Sequence, residues 1–289
     1  MSSITRENHA ANQALSLRER IATESREWDE WALKNQHLAL LLSQELPPGT
    51  TITSEMQQRF PHPFGLWTTM PGYFWEYQHL GSMIGKTVLQ LAGHGQNVIR
   101  FVLAGATQGY GLDPSIETLK IGKRLARRYH VNDKILWLEG IAEQLPFDDN
   151  SIDRIYGGAV LHHTLLDQAA KELYRVLTPG GRAAFHEPLE GSRVVRWARQ
   201  HLPYPGKGQA GVDYPLSYDA IQAFISAFDA GTYREFEIFG TPMNFLMRVR
   251  PGFRRLERVL RPIDAWIGDH VPAVRRFAKA VGICVSKRG

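Results

Sequence analysis

The sequence has little of what supports covalent cross-linking or membrane insertion. Its single cysteine, Cys284, excludes an intramolecular disulfide and a cysteine-based metal cluster. Apolar runs such as 38–42 are far shorter than the roughly 18 residues that a membrane-spanning helix needs. The first residues lack the apolar segment of a secretion signal, and the chain contains no internal repeat and no low-complexity tract. We therefore expect a globular, cytoplasmic protein.

The composition is that of an ordinary folded protein. The 289 residues are 43% hydrophobic and 22% charged, which argues against wholesale disorder and predicts one core domain with additions. The net charge of +5 is uneven, because residues 248–289 hold 11 Lys or Arg and three Asp or Glu. Nucleic acid, anionic lipid or a phosphorylated substrate could use this basic segment, but we favour a solvated helix face.

Short apolar strands alternate with amphipathic helices from residue 86 onward. This alternation predicts βαβ units, and hence a parallel sheet with helices on both faces. We predict an α/β fold with a doubly wound, mostly parallel seven-stranded sheet, whose ligands bind at the carboxyl ends of the strands. Helices are predicted after the first, second and fourth strands, at 217–227 and at 13–46. The predicted strands are 87–91, 108–112, 134–138, 152–156, 182–186, 233–239 and 280–285.

Two glycines, Gly93 and Gly95, join the first predicted strand to its helix. Glycines there allow a sharp turn and the close approach of a ligand to free helix N–H groups. Asp113 follows Gly93 by 20 residues, at the end of the second strand. A carboxylate at that place can accept hydrogen bonds from both hydroxyls of an adenosine ribose. Val98 stands where a dinucleotide fingerprint has a third small residue, so a nicotinamide oxidoreductase is the less favoured interpretation.

Several separated motifs occur together in one order. They are VLQLAGHG at 88–95, GLDPS at 111–115, AEQLPF at 142–147, LHH at 161–163 and RVLTPGGR at 175–182. On these motifs, residues from about 86 to 190 resemble a class I S-adenosylmethionine-dependent methyltransferase of the small-molecule type, in the broad methyltransferase type 11 branch. The stretches 185–189 and 214–217 also look like that diverse branch, which does not name an acceptor. The resemblance implies a Rossmann-like methyltransferase core with S-adenosyl-L-methionine as cofactor.

The resemblance also implies which residues hold the cofactor. Two positions depart from the family pattern. Gln90 stands where an acid is usual, and Ile141 stands where an Asp usually accepts a hydrogen bond from the adenine amino group. Gln90 can still hydrogen-bond the amino group of the cofactor, without charge, whereas the Ile141 side chain accepts nothing. The implied cofactor-binding residues are Gln90, Ala92, Gly93, Gly95, Asp113, Pro114, Ala142, Glu143, Gly158 and Ala159.

Four titratable residues follow the fourth and fifth strands, where the transferred methyl is expected. A hydroxyl or carbon acceptor needs a base, and His162, His163, His186 and Glu187 are the candidates. His186 is the first choice, because it ends a strand and is expected to face the cleft. Structural roles stay open: His163 can brace the next helix, and Glu187 can be an ion-pair partner. The sequence shows no spacing of cysteine, histidine or carboxylate residues that predicts a metal site.

The first 85 residues are predicted to form a helical lid over the acceptor, followed by a methyltransferase core at 86–289. A basic helical insertion at 241–278 precedes the last strand. Several aromatic residues lie near the end of the lid. They either line an acceptor pocket or form the core that packs the lid against the sheet. The predicted acceptor contacts are Trp67, Tyr73, Trp75, Tyr77 and Tyr214.

The predicted function is methyl transfer to a small, largely apolar acceptor in natural-product or specialised metabolism, with O- or C-methylation favoured. N-methylation of a small amine is the alternative within this class. The alternative of another class is a non-catalytic module that binds nucleic acid or a membrane surface through its basic segment and keeps a vestigial cofactor site. Both partners are less favoured than a small-molecule acceptor, and a homo-oligomer stays open.

Overall fold

The computed structural model describes residues 17–34, 71–192, 197, 215–238, 263–264, 266–268 and 270–289. Several predictions lie outside the described residues. They include the acceptor contacts Trp67 and Tyr214 and most of the basic insertion at 241–278.

A seven-stranded sheet forms the centre of the described chain, in the order β3-β2-β1-β4-β5-β7-β6. Neighbours from β3 to β5 run parallel, whereas β7 lies antiparallel between β5 and β6. The prediction of a mostly parallel seven-stranded sheet is confirmed. Strand order reverses between β1 and β4, and ligands of such sheets bind at this switch point. The strands are β1 Thr87–Leu91, β2 Gln108–Asp113, β3 Ile135–Glu139, β4 Ile152–Gly158, β5 Leu177–Pro188, β6 Ala230–Phe236 and β7 Ala280–Ser286.

Helices pack on both faces of the sheet, because successive side chains of a strand point to opposite faces. In β4, Ile155 and Tyr156 are both fully buried, each in a different core cluster. We call the side of the sheet that α5 and α6 cover the α5 face. The opposite side, which α2, α3 and α4 cover, is the α3 face. The helices are α1 Leu17–Lys34, α2 Pro71–Leu80, α3 Gln96–Leu103, α4 Ile116–Arg128, α5 Leu166–Val176 and α6 Tyr218–Ile225.

Most element boundaries agree with the sequence prediction to within a few residues, and two strands differ. β6 begins at Ala230 rather than at 233, because its residues pair with β7 from Ala230 to Phe236. β5 begins at Leu177, where the end of a helix was expected, because Leu177 pairs with Ile152 ahead of a register shift. The helix predicted at 13–46 lies partly outside the described residues, and its described part is α1.

Two helices from the N-terminal part bring side chains to the sheet. α1 packs against α4, beside β2 and β3, and α2 packs on β5 and β7. The carboxyl ends of the central strands therefore receive residues from far upstream in the sequence.

Candidate functional site

The loop after β1 has a backbone that requires glycine. Gly93 and Gly95 have positive φ angles of 80° and 70°. A Cβ on Gly95 would lie 2.2 Å from Cη2 of Trp137, whose ring also fills the space beside Gly111 and Gly122. We call these three glycines around Trp137 the tryptophan notch. Its close packing fixes the shape of the loop at the end of β1.

Replacing Gly95 with alanine is expected to destabilise the protein through both backbone and packing. Gly180 is a matched control, because its φ is 77° and a Cβ there meets no atom of the described part of the chain within 4 Å. The control reports the backbone cost alone, about 1 kcal/mol. Gly95→Ala is expected to lower the free energy of unfolding by roughly 1–2 kcal/mol more, through overpacking. Equal losses in urea denaturation would contradict the role of the tryptophan notch.

The Gln90 side chain ties this loop to the start of α3. Its Oε1 accepts hydrogen bonds from the backbone N–H groups of Asn97 and Val98, at 2.8 and 2.9 Å. Its Nε2 donates to the carbonyl of Ala92 at 2.8 Å. An acid could accept the first two bonds but could not donate the third. Gln90 therefore positions the loop, and a direct contact with an amino group of the cofactor stays a prediction.

Asp113 joins the ends of β1 and β2. Its Oδ2 accepts a hydrogen bond from the N–H of Gly93 at 2.7 Å, and its Oδ1 accepts one from the N–H of Ser115 at 2.8 Å. Each carboxylate oxygen can accept a further hydrogen bond, so a pair of hydroxyls can still bind. Burial raises the pKa of Asp113 to about 7; the two backbone hydrogen bonds oppose this shift, and the charge of Asp29 adds to it.

α1 contributes Asp29 to the same edge. Its Oδ1 accepts hydrogen bonds from Oγ of Ser115 at 2.6 Å and from the N–H of Glu117 at 3.1 Å. Ser115 Oγ in turn accepts from the N–H of Thr118 at 3.0 Å, which caps α4. Sequence reasoning missed Asp29, because it lies 86 positions from Ser115 and no local pattern links the two.

The loop after β3 borders the side where adenine is expected. Ala142 is buried in this loop. Oε1 of Glu143 accepts a hydrogen bond from the N–H of Leu165 at 2.8 Å, so this carboxylate ties the loop to the start of α5. Pro114 directly follows Asp113 at the end of β2. Contacts of Ala142, Glu143 and Pro114 with an adenine or ribose group stay predictions.

Gly158 and Ala159 lie where β4 ends. Gly158 pairs with His186 of β5, and the N–H of Ala159 donates to the carbonyl of His186 at 2.8 Å. Of the residues that the structure describes, a Cβ on Gly158 would meet only Tyr156 within 4 Å, at 3.8 Å. The described residues therefore leave space beside Gly158, as a site for a ligand next to the backbone requires.

Glu187 is a structural carboxylate, which corrects its prediction as a base. Its Oε1 accepts hydrogen bonds from the N–H groups of Val160 and Leu161, both at 2.9 Å, and its Oε2 lies 2.7 Å from Nδ1 of His162. The Glu187 side chain is fully buried, and that of His162 is 4% exposed. Because β5 side chains alternate, Glu187 points to the α5 face. Glu187 and His162 therefore fix the loop after β4, and a role of His162 as a base stays a prediction.

His163 contacts the N-terminal helix. Its ring lies 5.7 Å from that of Trp28 in α1, in an edge-on arrangement at 89°. Trp28 and the neighbouring Asp29 place α1 across the carboxyl ends of β2 and β4, where the cofactor residues are predicted. The contact is with α1, whereas the bracing role left open was with the next helix, and the role of His163 as a base stays a prediction.

His186 forms a buried pair with Glu76 of α2. Nδ1 of His186 lies 2.6 Å from Oε1 of Glu76, and Oε2 of Glu76 accepts a hydrogen bond from the Tyr156 hydroxyl at 3.0 Å. Burial by itself would lower the pKa of His186, but the charge and hydrogen bond of Glu76, helped by Glu237 and Glu187, raise it to about 9. His186 is therefore protonated at neutral pH. This corrects its prediction as a base, because an imidazolium has no lone pair to accept a proton.

Sequence reasoning missed Glu76 altogether. The only available signal was one acidic residue among the aromatic residues of α2. Those aromatic residues are buried to different extents. The Tyr73 ring lies 5.0 Å from that of His186, and Trp75 lies 6.0 Å from Phe236, which in turn faces His186. Tyr77 is 1% exposed and belongs to the core, which corrects its prediction as an acceptor contact.

Two kinds of feature are absent from the residues that the structure describes. Among them, no three His, Cys, Asp or Glu side chains are grouped so that they could hold a metal ion. Within the same ranges, no helix is long and apolar enough to cross a lipid bilayer.

Comparisons with known proteins agree with this geometry. Residues 89–185 match the family described as "Methyltransferase domain". A stretch of 124 residues is 47% identical to the mitochondrial 2-methoxy-6-polyprenyl-1,4-benzoquinol methylase of Bos taurus, over 39% of this chain and 37% of that protein. Another of 147 residues is 36% identical to the 2-phytyl-1,4-naphtoquinone methyltransferase of Trichormus variabilis, over 48% of this chain and 64% of that protein. The chain thus spans less than two thirds of the length of these relatives.

The fold extends further than the sequence similarity. The structure of geranyl diphosphate C-methyltransferase from Streptomyces coelicolor A3(2), in complex with Mg2+, geranyl diphosphate and S-adenosyl-L-homocysteine, superimposes with a TM-score of 0.60. The superposition covers 93% of this chain and 97% of that one, at 14% sequence identity. At this identity the likeness concerns the fold alone.

Proposed function

Residues 89–185 form a class I S-adenosylmethionine-dependent methyltransferase domain, and on that premise we propose that the protein methylates a small, largely apolar acceptor. S-adenosylmethionine supplies a methyl group on its sulfonium; the acceptor–methyl bond forms as the sulfur–methyl bond breaks, and a hydroxyl or carbon acceptor also loses one proton. O- or C-methylation is favoured over N-methylation, because an alkylamine is mostly protonated near neutral pH, and the imidazolium of His186 would repel this ammonium form before it could lose the proton that methyl transfer requires it to lose. The proposal includes a place in the biosynthesis of a specialised metabolite.

The hydrogen bond between Gly93 and Asp113 is the observation that carries this proposal. It joins a glycine loop and a buried carboxylate at the switch point of the sheet. Among the described residues, a Cβ on Gly93 would meet only Nε2 of Gln90 within 4 Å, at 3.6 Å, so the loop can lie against a ligand. The donor set fits S-adenosylmethionine: Asp113 would accept the ribose hydroxyl hydrogen bonds, and Gly93 and Gly158 would lie beside its methionine part.

The apolar nature of the acceptor is supported by two observations. Tyr73 and Phe236 contact the His186 ring, and Trp75 packs on Phe236 and extends this aromatic surface. The benzoquinol and naphtoquinone enzymes that share the domain act on rings with long hydrocarbon chains, as their names state. We therefore propose an acceptor with a ring or isoprenoid-like body.

Methyl-labelled S-adenosylmethionine tests this function directly. The purified protein would be incubated with a prenylated benzoquinol, a naphthoquinol, a sterol and an aromatic amine, and products would be identified by mass spectrometry. We expect label in a quinol or sterol product, with one S-adenosylhomocysteine formed per methyl transferred. A folded protein that fails to bind S-adenosylhomocysteine in isothermal titration would overturn the proposed function itself.

Asp29→Asn is expected to change the pH dependence of cofactor binding. The negative charge of Asp29 disfavours the carboxylate form of Asp113, whose pKa is about 7, so removing that charge lowers this pKa. The amide that replaces the carboxylate keeps an oxygen that accepts the hydrogen bonds from Ser115 and Glu117. We expect the pH midpoint of S-adenosylhomocysteine affinity to move to lower pH in isothermal titration. Glu30→Gln, which removes an exposed charge from the same helix, is the control; equal midpoints in both variants contradict the coupling.

A further inference from the structure

The Glu76–His186 pair lies next to the predicted cofactor-binding residues, and neither of its two residues is one of them. It is on the α3 face at the carboxyl end of β5, and the Glu76 side chain is fully buried. We propose that this pair binds the ionised oxygen of the acceptor, so that the enzyme selects acidic hydroxyls, phenols or enols, over alkyl alcohols and amines. This inference rests on the proposed function and names the substrate class of the same site.

The ring of His186 is oriented with one nitrogen inward and the other free for a ligand. Nδ1 is held by Glu76 at 2.6 Å, and a Cβ on Gly72 would lie 2.8 Å from Cε1, so this edge is packed against α2. The side chain is nonetheless 15% exposed. No described residue forms a hydrogen bond with Nε2. The Nε2–H group is therefore the donor that remains for a ligand.

The position of His186 suits an acceptor close to the transferred methyl. His186 pairs with Gly158, and its carbonyl accepts the N–H of Ala159. Adjacent strands lie about 4.8 Å apart, so His186 is one strand away from the residues assigned to the methionine part of the cofactor. An oxygen bound at Nε2 would thus face the methyl group from the acceptor side.

The charged Nε2–H of His186 favours an anionic oxygen bound directly to it, whereas the carboxylates of Glu76, Glu237 and Glu187 act on the ring with the opposite charge. The imidazolium neutralises Glu76, so the pair is neutral overall and directs a charged N–H outward. Burial raises the pKa of the neighbouring Tyr73 and Tyr156 hydroxyls and of the Cys284 thiol, which leaves these groups uncharged. The charged groups that act on the ring are Glu76 of α2, Glu237 after β6 and, from the opposite face of β5, Glu187. Tyr73 of α2 contacts the ring, and Tyr156 of β4 and Cys284 of β7 interact with Glu76.

The two acidic neighbours of the pair already have partners. Glu237 is bound by Lys279 at 3.4 Å, and Glu187 is bound by the backbone of the loop after β4. The imidazolium does not deprotonate the hydroxyl, so we expect the hydroxyl to lose its proton to solvent before transfer, which only an acidic hydroxyl does readily near neutral pH. This requirement is the physical basis of the selectivity.

4-Nitrophenol is a suitable probe, because its phenolate absorbs visible light and its neutral form does not. Titration of the probe in the complex of the protein with S-adenosylhomocysteine would report the pKa of bound 4-nitrophenol. A charge-assisted hydrogen bond is expected to favour the phenolate by roughly 10-fold or more, which lowers the probe's pKa by about one unit or more. His186→Gln and Glu76→Gln are expected to abolish this shift, since both remove the imidazolium at neutral pH.

The controls separate this inference from the proposed function. His79→Gln changes another partly buried histidine of α2, whose ring bonds the Val285 carbonyl, and is expected to keep the full shift. S-adenosylhomocysteine affinity is measured in every variant and is expected to stay within a few-fold of wild type. The double variant Glu76→Gln, His186→Gln, which leaves no buried charge, replaces any single variant that fails to fold. A wild-type complex that does not bind the probe, an unshifted probe, or an equal shift in His186→Gln would overturn the inference.

Discussion

Asp113→Ala is expected to weaken binding of S-adenosylhomocysteine on the order of 10- to 100-fold. The variant loses the carboxylate that would accept the ribose hydroxyls, and a hydrogen bond to a charged group contributes roughly 1.5–3 kcal/mol. It also frees the N–H groups of Gly93 and Ser115, which Asp113 holds at 2.7 and 2.8 Å. Isothermal titration measures the loss. Unchanged affinity in a folded variant would remove Asp113 from the cofactor site.

The same site supplies a pH test and a matched control. Because the pKa of Asp113 is about 7, the wild-type protein gains carboxylate as the pH rises from 6 to 8, and its affinity is expected to rise with it. Asp113→Asn is expected to bind weakly at every pH in this range. Asp133→Ala removes an exposed carboxylate from the segment before β3 and is expected to leave both affinity and pH dependence unchanged.

The free energy of unfolding is expected to fall as the pH rises from 6.5 through 9. The folded-state pKa of His186 is about 9, above its ordinary value of 6.5, because Glu76 stabilises the imidazolium. A raised histidine pKa contributes stability that is fully present below pH 6.5 and is lost as the pH passes 9. Since one pKa unit corresponds to about 1.4 kcal/mol, the loss is on the order of 3 kcal/mol.

Urea denaturation between pH 6.5 and 9.5 measures this loss. The double variant Glu76→Gln, His186→Gln keeps polar side chains at both positions but removes both charges, so its stability is expected to change much less over this range. His79→Gln is again the control and is expected to follow the wild type. Parallel curves for the wild type and the double variant would show that the pair is not an ion pair in the folded protein.

Features with a local cause could be predicted from the sequence. β1, its glycine loop and β2 lie within 30 consecutive residues. The spacing of their apolar residues and the glycines between the apolar runs predict each of them. The end of β2 then follows from where its apolar run stops, which places Asp113 at the switch point. β7 was also predictable, because 280–285 is a short apolar run of its own. Its antiparallel position between β5 and β6 was not predictable, since several sheet orders satisfy the same pattern.

Features that join distant segments could not be predicted. Glu76 and His186 are 110 positions apart, and Asp29 and Ser115 are 86 positions apart. Strand-end reasoning correctly put His186 and Glu187 close to the switch point. It could not say which of two adjacent residues faces α2 and which faces α5, because a shift of one residue exchanges the two faces. The charge on His186 depends on that choice, and the prediction of its chemistry failed there.

The place of β7 in the sheet has a consequence during protein synthesis. β5 ends at Pro188, but β7, its partner on one edge, begins at Ala280, about 90 residues later. At roughly 5–20 residues per second, translation leaves that edge of β5 without its partner for some 5–20 s. An unpaired edge strand is a template for pairing with other chains. Nascent chains are therefore expected to need chaperone protection until β7 emerges, and slower translation of 189–280 is expected to increase aggregation.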